Sequence, residues 1–306
     1  MTSAPQAIFD RKLLARRRSR FASEIQSADF LLRRATEDIM LRLQSILRDF
    51  PFALDLGCHH GILNEQLCRD QRIGTVFSAD LCAAYAKACP GPAIVCDEEF
   101  LPFAASSLDL VVSALTLHHV NDLPGTLVQI RRTLKPDGVF LAAMFGGQTL
   151  HELRTALAQA EDEIDGGISP RVAPFADIRD LGALLQRAGF ALPVTDADVV
   201  DVTYPSMFEL MRDIRAMGAS NVLVERRRQP LKRALLLRAA EIYSENFSSP
   251  DGQIHATFEI IHMTGWAPHP SQPKPLSPGS AKARLADALD TEEISAGEKA
   301  SPDDDA

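Results

Sequence analysis

The sequence predicts an α/β domain built on a doubly wound, mostly parallel sheet. Three observations lead there. Between residues 53 and 145, short apolar runs alternate with stretches of helical periodicity, the rhythm of successive βαβ units. One run, Ala53-Leu54-Asp55-Leu56, ends in the glycine turn Gly57-Cys58-His59-His60-Gly61 and leads into a helical Ile62–Leu67. A strand, tight turn and helix start of this kind grip a nucleotide in such sheets, because the turn glycines let backbone approach a ligand where a Cβ would collide. A third run, Leu108–Ala114, is apolar nearly throughout, as strands covered on both faces are.

The chain has 306 residues, 46% hydrophobic and 24% charged, which suits a soluble globular protein with a sizeable core. A net charge of -9 argues against nonspecific nucleic-acid binding by the whole molecule. The charge is uneven. Arg11, Lys12, Arg16, Arg17, Arg18 and Arg20 make the N-terminus basic; Arg226, Arg227, Arg228, Lys232, Arg233 and Arg238 form a second basic run; Asp303-Asp304-Asp305 close an acidic tail. Each run reads first as a solvated face, with an acidic partner or a membrane surface as the less favoured reading. The cysteines (Cys58, Cys68, Cys82, Cys89 and Cys96) are odd in number and lack metal-ligand spacing, which predicts reduced thiols in a cytosol-like compartment. No run approaches the roughly 18 apolar residues of a membrane span, and no apolar signal core follows the basic start.

Taken in order, residues 1–22 read as a basic arm with a loose start. A helix is predicted over 23–47 from Leu32, Ala35, Ile39, Leu43 and Ile46, with Pro51 breaking the chain before the first strand. The second strand, Thr75–Ala79, ends in Asp80, placed roughly 20 residues after the glycine turn to bond ribose hydroxyls or to cap the next helix. The third, Ala93–Cys96, runs into Asp97-Glu98-Glu99, where a carboxylate can accept from an adenine amino group or simply form an acidic loop. The fourth strand delivers Leu117-His118-His119-Val120-Asn121-Asp122 to the carboxyl edge of the sheet, where ligands bind. A helix follows, then the turn Lys135-Pro136-Asp137-Gly138 and a fifth strand at Val139–Ala143. Helices are predicted from Leu150 to Ile164 and from Ile178 to Gly189, with the loop 166–175 between them as a candidate lid. A sixth strand is placed at Val199–Thr203 and a last one at Phe258–Thr264. Between them a helical excursion over 205–250 contains a helix opening on the capping box Ser206–Glu209 and another spanning Arg226–Tyr243; it reads as a substrate cap or a packing insert. Residues 268–306 read as a largely disordered tail, leaving 23–267 as the folded domain.

The glycine turn, Asp80, Asp97 and Leu134-Lys135-Pro136-Asp137-Gly138 together resemble the S-adenosylmethionine-dependent methyltransferase fold, which implies a seven-stranded Rossmann-like sheet whose last strand is antiparallel, with a helical insertion before it. A narrower resemblance spans residues 8 to 266. Ile8-Phe9-Asp10-Arg11, Asp97–Phe103, Val120–Pro124, Ala143–Leu150, Arg187–Phe190, Met207–Met211 and Gly265-Trp266 are similar to the complex I assembly factor of this fold, a protein-arginine hydroxylase. Because the shared stretch starts at residue 8 with no leader before it, a bacterial relative is expected. The resemblance implies S-adenosylmethionine as cofactor, with Asp55, Gly57 and Gly61 lining its methionine and ribose end, Asp80 holding the ribose hydroxyls, and Asp97 and Glu98 meeting the adenine. It implies as partner the iron–sulfur subunit of NADH:quinone oxidoreductase (complex I), one of whose arginines would be hydroxylated. It implies a cytoplasmic protein without a membrane span, peripheral contact with the inner membrane being left open. A more distant resemblance is to the biotin-pathway malonyl-carrier-protein methyltransferase.

His59 departs from the fold's pattern, which has glycine where the backbone meets the cofactor. His118 is the candidate base by position, its alternative being a histidine satisfied at a helix start. His59 or His60 and His118 or His119 could converge with Asp122 on a metal, but lone histidines more often serve as structural groups, and no metal is assigned. Three readings of function follow: a hydroxylase of a complex I subunit, a methyltransferase acting on a carrier protein or small molecule, and a noncatalytic assembly chaperone.

Overall fold

The structure, a computed structural model, describes residues 7–273, 280 and 283–292. They fall into two compact units, Met1–His269 and Pro270–Ala306. The second unit contains one short helix, Leu285–Leu289, and the rest of the expected disordered tail lies largely outside the described residues.

The basic start is a helix. In α1 (Arg11–Arg20) the Asp10 side chain accepts from the Leu13 amide at 2.9 Å, and Arg17, Arg18 and Arg20 sit in the last turn, where cations complement the helix dipole. Only part of this run is a solvated face: Leu14 and Arg18 are buried. A 3-10 turn at Ile25–Ser27 precedes α2 (Phe30–Gln44), so the helix predicted over 23–47 begins seven residues late. Asp29 explains the late start. Its carboxylate takes two bonds from Arg33, at 2.8 Å each, and holds the first turn. The buried Leu31, Leu32, Ala35, Ile39 and Leu43 lie on one face.

The sheet follows. Its elements are β1 (Phe50–Leu56), α3 (Ile62–Arg69), β2 (Ile73–Asp80), α4 (Ala83–Ala88), β3 (Ala93–Val95), β4 (Leu108–Ala114), α5 (Leu123–Thr133), β5 (Leu134–Phe145), α6 (His151–Asp165), α7 (Ile178–Arg187), β6 (Ala191–Tyr204), α8 (Met207–Ala216), α9 (Arg233–Phe247) and β7 (Ile254–Trp266). Pro51 does not break the chain before β1; it is the second residue of that strand. It is tolerated because β4 pairs only with Ala53–Asp55, leaving the proline outside that ladder. Strand order is β3-β2-β1-β4-β5-β7-β6, all parallel except β7, which runs antiparallel to both β5 and β6. The last strand is therefore antiparallel, as the resemblance implied.

Both faces are covered. Ala53, Leu110, Val112 and Leu141 join α2, α6 and α9 in one core, while Leu54, Val111, Phe140 and Ala142 join α5 and α7 in another. Successive strand residues point to opposite faces, so each apolar strand feeds both layers. β6 and β7 are longer than predicted. β6 is half exposed along most of its length and carries polar residues, Asp196 and Asp198 among them, so only its C-terminal part, Val199–Thr203, was legible. The helix predicted to begin at Arg226 begins at Arg233, because Pro230 lacks an amide donor and disfavours helix at the residue before it. No described helix is long and apolar enough to cross a membrane.

Phe140 is fully buried and stacks on Phe190 with ring centres 5.4 Å apart. Phe140→Ala is expected to lower unfolding free energy by about 3–5 kcal/mol, read from the denaturant midpoint; a loss under about 1 kcal/mol would contradict this packing.

Candidate functional site

The site lies at the carboxyl edge of β1, β2, β3 and β4, and the turn after β1 is its floor. Gly57 adopts φ +77° and Gly61 φ +93°. A Cβ on Gly57 would run into the Thr116 side chain, so the glycine lets the loop after β4 close over the turn. Gly61 stands at the N-cap of α3, against Cys89 rather than the site's centre. Asp55 is fully buried beneath the turn beside the Asn64 backbone; burial, then Cys89 and Asp80, hold its carboxyl well above the usual range. His59 takes the left-handed φ of +48° that glycine would favour. Its backbone amide donates to Asp80 at 3.1 Å, and its Nε2–H donates to the Ala114 carbonyl at 2.9 Å. The imidazole is thereby turned towards the end of β4.

The acids at the strand ends meet the N-terminal helix. Asp80, at the end of β2, accepts from the amides of His59 and Cys82, the latter at 2.7 Å. Burial raises its pKa to about 6, with Glu98 adding to the rise and Arg18 opposing it. Asp97 and Glu98 follow β3. Arg11 donates to both, at 2.7 Å for Asp97, and to the carbonyl of His119 at 3.1 Å. Arg18, only 3% exposed, sits 3.7 Å from Asp80 and 3.9 Å from Glu98, and donates to Thr116 Oγ1 at 3.2 Å. Asp80, Asp97 and Glu98 are thus brought together around two arginines that no reading of the isolated motifs supplied. The segment before α1 is pinned as well: the Asn121 side chain accepts from the amides of Ile8 and Phe9 at 2.8 and 2.7 Å, and Phe9 packs edge-on against His119 at 5.6 Å. The available signal was Ile8-Phe9-Asp10-Arg11, which the resemblance singled out but to which no role was given.

Across the floor, His59, His118 and His119 line a cavity of about 50 Å³ that also meets Arg18 and Phe145. All three rings are buried, each with its Nδ1 lacking a hydrogen-bond partner. Burial, then Arg18, brings His118 down to about 3, and burial holds His59 and His119 well below the usual range. His118 therefore stays neutral at ordinary pH and is a weak base there. His60 turns away to Asp29 at 3.0 Å, and Asp122 caps α5 by accepting from the Gly125 amide at 2.8 Å. The expected convergence of histidines is seen for His59, His118 and His119 but not for His60, and Asp122 is used elsewhere. Among the described residues no group of three His, Cys, Asp or Glu is arranged to hold a metal. A second cavity of about 80 Å³ adjoins the first, walled by His118, His119, Phe145, Phe175 and Phe258, with Arg171 at its margin.

The acceptors suit an adenosyl ligand: three carboxylates on neighbouring strand ends, beside a glycine turn. Those acceptors are occupied by Arg11 and Arg18, so an adenosyl ligand reaches them only in exchange for the arginine contacts. Loading such a ligand requires the α1 side chains to withdraw.

Two outcomes follow from these charges. His118 has a folded pKa below its unfolded value of about 6.5, so the stability tied to its neutral form is complete above that pH and is lost as pH falls. His118→Leu is expected to lose about 1 kcal/mol less stability than the parent between about pH 6 and pH 5, by denaturant unfolding; parallel slopes would contradict a buried neutral ring. Asp80 has the opposite sign. Its folded pKa is raised, so its contribution is largest below the unfolded value of about 3.9 and declines as pH rises through about 6. Arg18→Ala removes its counter-charge and is expected to cost about 3–5 kcal/mol at pH 8 and clearly less at pH 5; a pH-independent loss would mean that Arg18 acts through packing alone.

The strand order and the glycine turn with its ring of acids define a methyltransferase-domain protein. A family profile described as "Methyltransferase domain" matches residues 54–142. A crystal structure from Bacillus halodurans, described provisionally as a methyltransferase, superposes with a TM-score of 0.54 over 76% of this chain and 100% of its own, at 16% identity, and so shares the fold. Among named relatives, the rat protein "Arginine-hydroxylase NDUFAF5, mitochondrial" is 45% identical over 295 residues, covering 94% of this chain and 85% of its own. The "Malonyl-[acyl-carrier protein] O-methyltransferase" of Halorhodospira halophila is 34% identical over 265 residues, 84% of this chain and 88% of its own. The chain belongs to the arginine-hydroxylase NDUFAF5 family of methyltransferase-fold enzymes.

Proposed function

We propose that this protein binds S-adenosylmethionine and serves the assembly of NADH:quinone oxidoreductase by hydroxylating an arginine of its iron–sulfur subunit, in the cytoplasm. The observation that carries the reading is 45% identity, along 94% of the chain, to a relative named arginine-hydroxylase. In this reading Asp80 takes the ribose hydroxyls, Asp97 and Glu98 the adenine, and Asp55, Gly57 and Gly61 line the methionine and ribose end once Arg11 and Arg18 have moved aside and Thr116 has drawn back from Gly57. S-adenosylmethionine, when bound, supplies an electrophilic sulfonium methyl group. The aromatic cavity takes the acceptor. Faces of Phe145, Phe175 and Phe258 suit a guanidinium, the histidines beside them are kept neutral by burial, and the charge of Arg171 is answered by Glu161 at 2.6 Å. His118 is then a positioning group rather than a base. Residues 205–250, with α8 and α9, form the cap over this side. Hydroxylation replaces a C–H bond by C–OH, and both the inserted oxygen atom and the two-electron oxidation come from an oxidant of the dioxygen or peroxide class supplied from outside the chain.

Two other readings each rest on one observation. The 34% identity to a malonyl-carrier-protein O-methyltransferase favours methyl transfer, and the arginine seated among the site's acids favours a noncatalytic chaperone. Deleting the gene and examining the complex I subunit by mass spectrometry separates the three. Loss of one oxygen's mass from an arginine is expected. Loss of one methylene's mass from an acceptor would replace the reading with methyl transfer, and an unaltered subunit with failed assembly would leave the chaperone.

A further inference from the structure

The two basic runs, in opposite thirds of the chain, form one cleft. Arg17 and Arg20 come from α1, Arg215 from the end of α8, and Arg226, Arg227 and Arg228 from the segment leading to α9. The cleft has a volume of about 710 Å³, and none of the described residues lining it is a carboxylate. Some of these charges are answered from behind: Arg226 meets Asp10 at 3.5 Å, and Arg227 meets Asp165 and, at 3.3 Å, Glu161. Arg20, Arg215 and Arg228 meet no carboxylate among the described residues. Arg17 donates to the Asn221 carbonyl and sits close enough to Arg226 that burial and this like charge lower its pKa. Arginines brought this close set up a positive potential that favours an anion between them.

The shape narrows the anion. Leu153, Leu157, Ile214 and Leu231 provide an apolar floor between the guanidinium groups, which suits a chain of alternating carboxylates and apolar side chains better than a lone inorganic ion. A concave cleft does not fit the flat face of a bilayer, and the net charge of -9 disfavours a nucleic acid. The cleft also adjoins the aromatic cavity, since Leu153, Arg171, Ile214, Ser220 and Asn221 line both. A cationic acceptor approaching alone would be repelled here, whereas one carried within an acidic segment would be drawn in.

We propose that this arginine-lined cleft is the docking groove for an acidic polypeptide segment, holding it so that the arginine beside it enters the aromatic cavity. Only the identification of that segment as substrate rests on the hydroxylase reading; the docking itself does not. The full chain would be titrated into a short fluorescein-labelled peptide of Glu, Asp and Leu around a central arginine, with the same peptide carrying Lys in place of its acids as control. Anisotropy should show binding of the acidic peptide alone, weakening as salt rises. The surface variant Arg20→Glu/Arg215→Glu/Arg228→Glu, checked for a parental circular dichroism spectrum, should weaken it by about tenfold or more, since each exposed contact removed is also reversed in sign. Equal binding by parent and variant, or no preference for the acidic peptide, overturns the proposal. So does binding to phosphatidylglycerol vesicles that the variant abolishes while the peptide goes unbound. Binding is read without any hydroxylation, so a failed mass-spectrometric test with intact peptide binding removes the hydroxylase and leaves the groove.

Discussion

Arg18, set among Asp80, Glu98 and Thr116, is the contact on which the site depends. The sheet order places β3, β2 and β1 side by side, so the acids that end β2 and follow β3 must share one small volume. Carboxylates buried together repel and lose their hydration, and each arrangement that keeps them ionised needs a cation close by. Arg11 and Arg18 are those cations, and their helix is held in turn by Asn121, by Phe9 on His119 and by the cap on Asp10. The N-terminal segment is thus part of the site rather than an appendage to it. The proposed function assigns an adenosyl group to the same acids, and α1 holds that set of acceptors in this structure.

The same helix shapes the rest of the floor. The positive charge of Arg18, added to burial, keeps the nearby imidazoles neutral. Neutral rings with unpartnered Nδ1 atoms are available to bond a ligand and impose no charge on it. His59 fits the same pattern. It has the left-handed backbone of a glycine, and its ring is held against the Ala114 carbonyl at the end of β4. The turn therefore accommodates the departure from glycine with a left-handed backbone and a ring bonded to β4.

Charge is sorted by side. The acids face inwards at the carboxyl edge of the sheet, and the arginines not needed to balance them collect in the cleft beside the cap. The aromatic cavity adjoins the cleft and shares Arg171, Ser220 and Asn221 with it.

The sequence by itself determined the layered α/β sheet, because apolar strands covered on both faces and amphipathic helices write their periods directly into neighbouring residues. β4 was legible to the residue, whereas β6 was foreshortened because its polar, half-exposed positions carry no such period. Local punctuation also carried through: Ser206 accepts from the Phe208 amide and opens α8, and Gly189 takes the left-handed turn after α7. Where punctuation was missed, as with Pro230 ahead of α9, the boundary moved. The acids Asp80, Asp97 and Glu98 were visible as residues, but what neutralises them was not. Whether a run of arginines is a solvated face, a counter-charge or the wall of a cleft depends on what lies across from it, and that neighbour is far away in the chain. Only the tertiary structure decided that Arg18 is buried, that Arg17 faces Arg226, and that His118 is neutral, because electrostatic energy depends on distance and burial in space and not on separation along the chain.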